Sequence, residues 1–238
     1  MRMVLSVWRD DSEIKIPQPK TQYITQDTED SLKLGTLDTL LGHYNYAIRE
    51  TAAKIVSDRA VNDGSTIDTL LWGVTREDYN ERMRSLRTLA LITDHQSLPL
   101  LHTDKAYSAF VRSLELCLKD VQQEKLNDKY FDEYYLRDMA EKLCLMFVIQ
   151  LINKYGPDKL IRAKFIEKWL AKQNWGETLE ERQRNFVQYM QYRQNRITEI
   201  FHRLQESRRG QAALIRSKLI PKDSADILDG SDPGRTLA

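Results

Sequence analysis

The chain has 238 residues, with 36 Lys and Arg against 35 Asp and Glu, a net charge of +1. That balance excludes bulk electrostatic attraction to nucleic acid or to acidic membranes. A hydrophobic content of 41%, with only nine Gly and six Pro, permits a sizeable core and long uninterrupted helices.

Residues 1–26 read as an irregular N-terminal arm, because Pro17 and Pro19 exclude a continuous helix. The apolar stretch Val4 to Trp8 is cut short by Arg9-Asp10-Asp11 and does not make a secretory signal. A first helix is expected from about Thr28 to Leu41, with Leu34, Leu37 and Leu41 inward and Gly42 as its stop. Asn45 caps a second helix whose inner stripe is Ile48, Ala52, Ile55 and Val56. After the turn Asn62-Asp63-Gly64-Ser65, with Ser65 or Thr66 as cap, a short third helix points Ile67, Leu70 and Leu71 inward. A fourth, from about Arg76 to Thr93, spaces Tyr79, Met83, Leu86 and Ala90 helically.

Pro99 breaks the pattern at Leu98 to Leu101, and Asp104 is the expected cap of a fifth helix carrying Phe110, Leu114, Leu118 and Val121. The sixth, from about Asp128, is the most apolar and is expected at the centre. Its run Leu143 to Ile152 is about half the ~20 residues of a membrane span. Gly156-Pro157 ends it, and Asp158 caps a seventh helix that buries Ile161, Phe165, Ile166 and Trp169. Thr178 and Glu181 have capping-box spacing for an eighth. This one is expected to run unbroken to about Arg208. Its stripe Phe186, Met190, Arg193, Ile197, Ile200, Leu204 steps 4, 3, 4, 3, 4, a heptad seam with one arginine in it. A last short helix covers Gln211 to Leu219, and residues 221–238 read as a disordered tail.

Two echoes run through this pattern. Tyr46-Ala47-Ile48-Arg49-Glu50-Thr51-Ala52 reads like Tyr134-Tyr135-Leu136-Arg137-Asp138-Met139-Ala140, with a fainter copy at Tyr79-Asn80-Glu81-Arg82-Met83-Arg84. Thr36-Leu37-Asp38-Thr39-Leu40-Leu41 is matched by Thr66-Ile67-Asp68-Thr69-Leu70-Leu71. The pattern resembles armadillo and HEAT-type helical repeats over roughly residues 28–155, through Ile48-Arg49 with Ala52 and Leu136-Arg137 with Ala140. The resemblance implies an all-α, irregular armadillo-like stack of helical hairpins with a long C-terminal helix, one domain over 27–220. It also implies a role in holding other macromolecules.

Chemistry is poorly represented. There is no phosphate-binding glycine loop and no Gly-flanked serine elbow. His43, His95, His102 and His202 are scattered, and only His95 and His102, with Asp94 or Asp104, come near a metal-ligand grouping. The sequence therefore assigns no catalytic, cofactor or metal residue. Cys117 and Cys144, each in an apolar helix, read as reduced core thiols, which places the protein in the cytoplasm or nucleus.

Two surfaces carry the functional expectation. Arg49, Arg84 and Arg137 recur at the edge of apolar stripes. They either cover the core with their stems or form a guanidinium ridge for an acidic peptide or phosphopeptide. Phe186, Met190, Arg193 and Ile197 of the heptad seam either fold back on the chain or dock on a partner. The expected role is a non-catalytic adaptor or scaffold that binds a peptide or partner subunit. The alternative is nucleic-acid binding through the stretch from Lys159 to Lys218, where 14 Lys and Arg face 6 Glu, a net +8 with interleaved aromatics.

Overall fold

A computed structural model describes residues 31–94, 97–120 and 137–221. The expected arm over 1–26, the expected tail beyond 221, His95 and the start of the expected sixth helix lie outside these residues. Among the described residues the chain is all α, with eleven α-helices, two short 3-10 turns and no strand. By contacts it divides within its second helix into two compact units, Met1–Val56 and Ser57–Ala238.

The first unit contributes α1 (Leu34–Leu41) and most of α2 (Tyr46–Asn62). Their shared core is small: Leu37, Ala52 and Ile55, with Leu32, Leu40 and Val56 packed against it. Leu34 and Leu41 do not turn inward as expected. Leu34 is 74% exposed, because the inner face of α1 is centred on Leu37 alone. Gly42 ends α1 as expected, and the Asn45 carboxamide accepts from the Ala47 amide at the start of α2.

The second unit holds the main core. In α3 (Gly64–Val74) the N-cap is Asp63, not Ser65 or Thr66. Its carboxylate accepts from the Ser65 amide and from the Ser65 and Thr66 hydroxyls, and those bonds hold its pKa below the usual carboxylate value. α3 packs closely on α4 (Tyr79–Ile92) at Gly73, where an added Cβ would lie 2.2 Å from the Ser85 hydroxyl oxygen. The 3-10 turn Leu98–Leu101 leads into α5 (Asp104–Asp120), whose first turn is capped by the Thr103 hydroxyl on the Ala106 amide. Asp104, expected as the cap, is the first helical residue instead.

α6 (Met139–Tyr155), capped by Asp138, is buried along most of its length and touches α4, α5 and the C-terminal helices, the central position expected for it. Gly156, at φ +82°, ends it in a backbone conformation that side chains rarely adopt. The expected seventh helix is in fact three short pieces: α7 (Asp158–Arg162), α8 (Phe165–Lys168) and the 3-10 turn Leu170–Lys172. Lys164 takes left-handed φ/ψ of 62° and 40° between the first two. The break costs no burial, since Leu160, Phe165, Ile166, Trp169 and Leu170 are all in the core.

The long C-terminal helix is also broken. α9 (Leu179–Tyr192) ends at Arg193, which is extended at φ −100° and ψ 146°. α10 (Arg196–Gln205) then starts afresh under a full capping box, in which Asn195 accepts from the Ile197 and Thr198 amides and Thr198 answers the Asn195 amide. α11 (Arg208–Arg216) follows after Ser207. A heptad spacing does not reveal such a break, because two helices that turn the same stripe toward one core keep the apolar pattern in phase.

Candidate functional site

The three arginines of the expected ridge have three different surroundings. Arg49 sits four residues into α2 and donates to the carbonyls of His43 (2.8 Å) and Tyr44 (3.2 Å), with its guanidinium 5.8 Å from the Tyr46 ring. The residue that repeats this arrangement is Arg82, not Arg84. Four residues into α4, Arg82 donates to the carbonyls of Arg76 (3.0 Å) and Glu77 (3.2 Å), 5.5 Å from the Tyr79 ring. In both, a guanidinium satisfies carbonyls of the loop that enters the helix, five and six residues back.

Arg137 has a third environment. It precedes the cap of α6, pairs with the buried Glu141 carboxylate, donates to Gln173 Oε1 at 3.1 Å and lies 5.8 Å from the Trp169 ring. Burial raises the Glu141 pKa, and the Arg137 charge counteracts part of that rise. Beside this group the Tyr79 hydroxyl donates to Asp138 at 2.6 Å, and its pKa is pushed up to about 12 by burial and then by that carboxylate. Arg137 is buried and Arg49 half-buried, and each donates to groups of its own surroundings.

The heptad residues also turn inward. Phe186, Met190 and Ile197 are buried in the main core, where Phe186 meets Trp175 and Phe201 edge to face with centroids 5.0 and 5.2 Å apart. This is the fold-back reading, and it removes these three side chains from the docking seam expected for them. Arg193, at the break, is half-buried.

Arg84 differs from its companions. It lies on the solvent side of α4 in line with Arg87 and Leu91, and Leu91 is 81% exposed. Neither arginine forms an ion pair with any described residue. Sequence reading found Arg84 but not Arg87 or Leu91. Their spacing of three and seven from Arg84 was the available signal, and an apolar residue on the polar face of an amphipathic helix is the mark that separates them.

Cys117 and Cys144 are free and buried, and burial raises both pKa values, that of Cys144 to about 12, so they stay as thiols rather than nucleophilic thiolates. His102 stacks on Tyr155 with ring centroids 4.1 Å apart, its Nδ1 is 3.3 Å from the Tyr107 hydroxyl, and burial followed by the nearby Lys159 charge lowers its pKa. Among the described residues no group of three or more His, Cys, Asp or Glu is arranged to hold a metal ion. No described helix is long and apolar enough to cross a membrane. Comparison of the chain with protein-family models, with curated proteins and with solved structures gives no match.

Proposed function

We propose that the protein is a non-catalytic interaction module, an adaptor or scaffold subunit, which holds a partner protein on the outer ridge of α4. The observation that carries this reading is the line Arg84, Arg87, Leu91: two solvent-facing guanidinium groups beside an apolar side chain left 81% exposed. Arginine next to an exposed aliphatic group is the composition of a contact patch, where the guanidinium pairs with carboxylates and the apolar group is desolvated. The armadillo-like stack remains part of the proposal, supported by the matching Arg49 and Arg82 helix starts. A cytoplasmic or nuclear site goes with it, supported by the two free cysteines.

The test is affinity capture with nuclease present and at two salt concentrations, comparing wild type with Arg84→Glu/Arg87→Glu/Leu91→Asp. A protein partner retained by wild type at higher salt and lost by the triple variant is the expected result. Retention by both sinks the reading. A second reading, nucleic-acid binding, draws on exposed Arg203, Arg208, Arg209 and Arg216 of α10 and α11 with Tyr192 exposed nearby in sequence. It requires steep salt dependence and loss on Arg203→Glu/Arg208→Glu/Arg209→Glu/Arg216→Glu.

A further inference from the structure

α5 keeps one stripe in or near solvent, from Asp104 and Lys105 through Ser108 to Arg112 and Glu115. Both flanks of the stripe are marked by ion pairs. On one side Asp68 of α3 reaches Lys105 at 3.1 Å, and Glu77, just beyond α3, reaches Arg112 at 3.8 Å. On the other, Arg162 of α7 reaches Asp104 at 3.4 Å and Lys172 reaches Glu115 at 2.9 Å. In each flank the residue numbers rise with those of α5, so both run alongside it in its own direction and make a trough with α5 as the floor.

Ser108 is the small residue of that floor. Over it opens a cavity of about 220 Å³ bounded by Asp104, Ser108, Lys159, Arg162 and Ala163. Its charges do not cancel. Arg162 is matched by Asp104, but the Lys159 ammonium donates to the His102 carbonyl and has no carboxylate among its described contacts. The Ser108 hydroxyl makes no hydrogen bond with a described residue. The cavity thus holds one surplus positive charge and one free hydroxyl donor. On the α3 flank, one turn beyond Asp68 on the same side, Trp72 is 56% exposed, with the Arg76 guanidinium stacked 4.0 Å from its ring centroid.

We propose that this trough binds an extended acidic peptide, one carboxylate of which enters the cavity and accepts from Lys159, Arg162 and Ser108. The stacked Trp72–Arg76 pair offers a flat, partly apolar seat for a neighbouring peptide residue. The carboxylates Asp68, Glu77, Asp104 and Glu115 are interleaved along the trough. They would oppose the closely spaced charges of a nucleic-acid backbone, whereas a peptide can space its acids between them. The proposal goes beyond the α4 ridge and stands on different residues.

The experiment is fluorescence anisotropy with full-length protein and a labelled glutamate-rich peptide carrying one phenylalanine, at low salt, with circular dichroism to confirm that each variant is folded. Saturable binding is expected. Lys159→Glu/Arg162→Glu should weaken it by about tenfold or more, the loss of one to two charge-assisted contacts. Ser108→Phe, which fills the cavity from an exposed position, should weaken it comparably, and Trp72→Ala by about threefold. Arg84→Glu/Arg87→Glu should leave it unchanged, so failure of the ridge and failure of the trough are read separately. No peptide binding, binding indifferent to Lys159→Glu/Arg162→Glu and Ser108→Phe, tighter binding of a mixed-sequence oligonucleotide, or binding only of a phosphoserine version of the peptide would each overturn the proposal.

Discussion

The α1–α2 and α3–α4 hairpins use the same local chemistry to start their second helix, and they bury it to very different degrees. Asn45 and Asp78 cap; Tyr46 and Tyr79 follow; Arg49 and Arg82 reach back to carbonyls five and six residues earlier. Yet Arg49 is half-buried, while Arg82 is 0% exposed in the main unit. The first hairpin closes on three buried residues, whereas the second sends Met83, Leu86, Leu89 and Ile92 into an extensive core. The motif therefore specifies where the helix begins and how the loop enters it. Packing specifies how much the motif is worth.

The harshest way to break that comparison is to cut into the cores. Leu86→Ala should cost about 3 kcal/mol, since Leu86 is fully enclosed and its cavity cannot collapse. Ile55→Ala, in a cluster with few neighbours to lose, should cost about half as much, both read from urea denaturation midpoints. Equal costs would mean that the first hairpin is packed as tightly as the second. Next in size are the arginines. Arg82→Met removes a fully buried guanidinium from two carbonyls and should lose about 2 kcal/mol, whereas Arg49 is only half-buried and its loss from the His43 and Tyr44 carbonyls should cost about 0.5 kcal/mol. If the two substitutions cost the same, burial does not set the value of the motif. The caps sharpen the other half of the argument. Asn45→Ala and Asp78→Ala should each cost about 1 kcal/mol, because a cap acts on the first turn whatever lies beneath it.

How much of this was legible in the sequence follows from the same division between local and tertiary causes. Gly42, Asn45 and the Thr178–Glu181 pair act through neighbours in sequence, and each was read correctly. The echo Tyr46/Tyr79 was visible too, but it was carried to Arg84 by matching apolar–basic pairs. Counting three residues on from each tyrosine gives Arg82. The α9–α10 break escaped because Arg193-Gln194-Asn195 interrupts the backbone without interrupting the apolar phase. An Asn followed three residues later by Thr was the missed signal. The bond from Arg137 to Gln173 and the trough along α5 were not legible, since Gln173, Lys159 and Arg162 reach them from more than twenty residues away in sequence, whereas the Arg137–Glu141 spacing of four was an available signal.

The smallest expected effect concerns how the second hairpin is tied to α5, and it is acid-sensitive. Glu77 meets Arg112, Arg112 also meets Glu115 at 3.2 Å, and Glu115 receives Lys172 at 2.9 Å. The hydrogen bond from Lys172, then that from Arg112, holds the Glu115 pKa below its ordinary 4.5. A carboxyl whose pKa is lower folded than unfolded contributes stability that is fully present above the unfolded value and is lost as pH falls through the folded one. Between about pH 6 and pH 3 wild type should therefore lose a contribution that Glu115→Gln never has, so the variant should show a shallower acid slope and converge with wild type at the acid end. Lys172 is more than half exposed, which screens the pair and keeps the difference below about 1 kcal/mol. Parallel slopes in urea melts across that range would show that Glu115 makes no net contribution, leaving the apolar contacts of α3 and α4 to hold the hairpin in place.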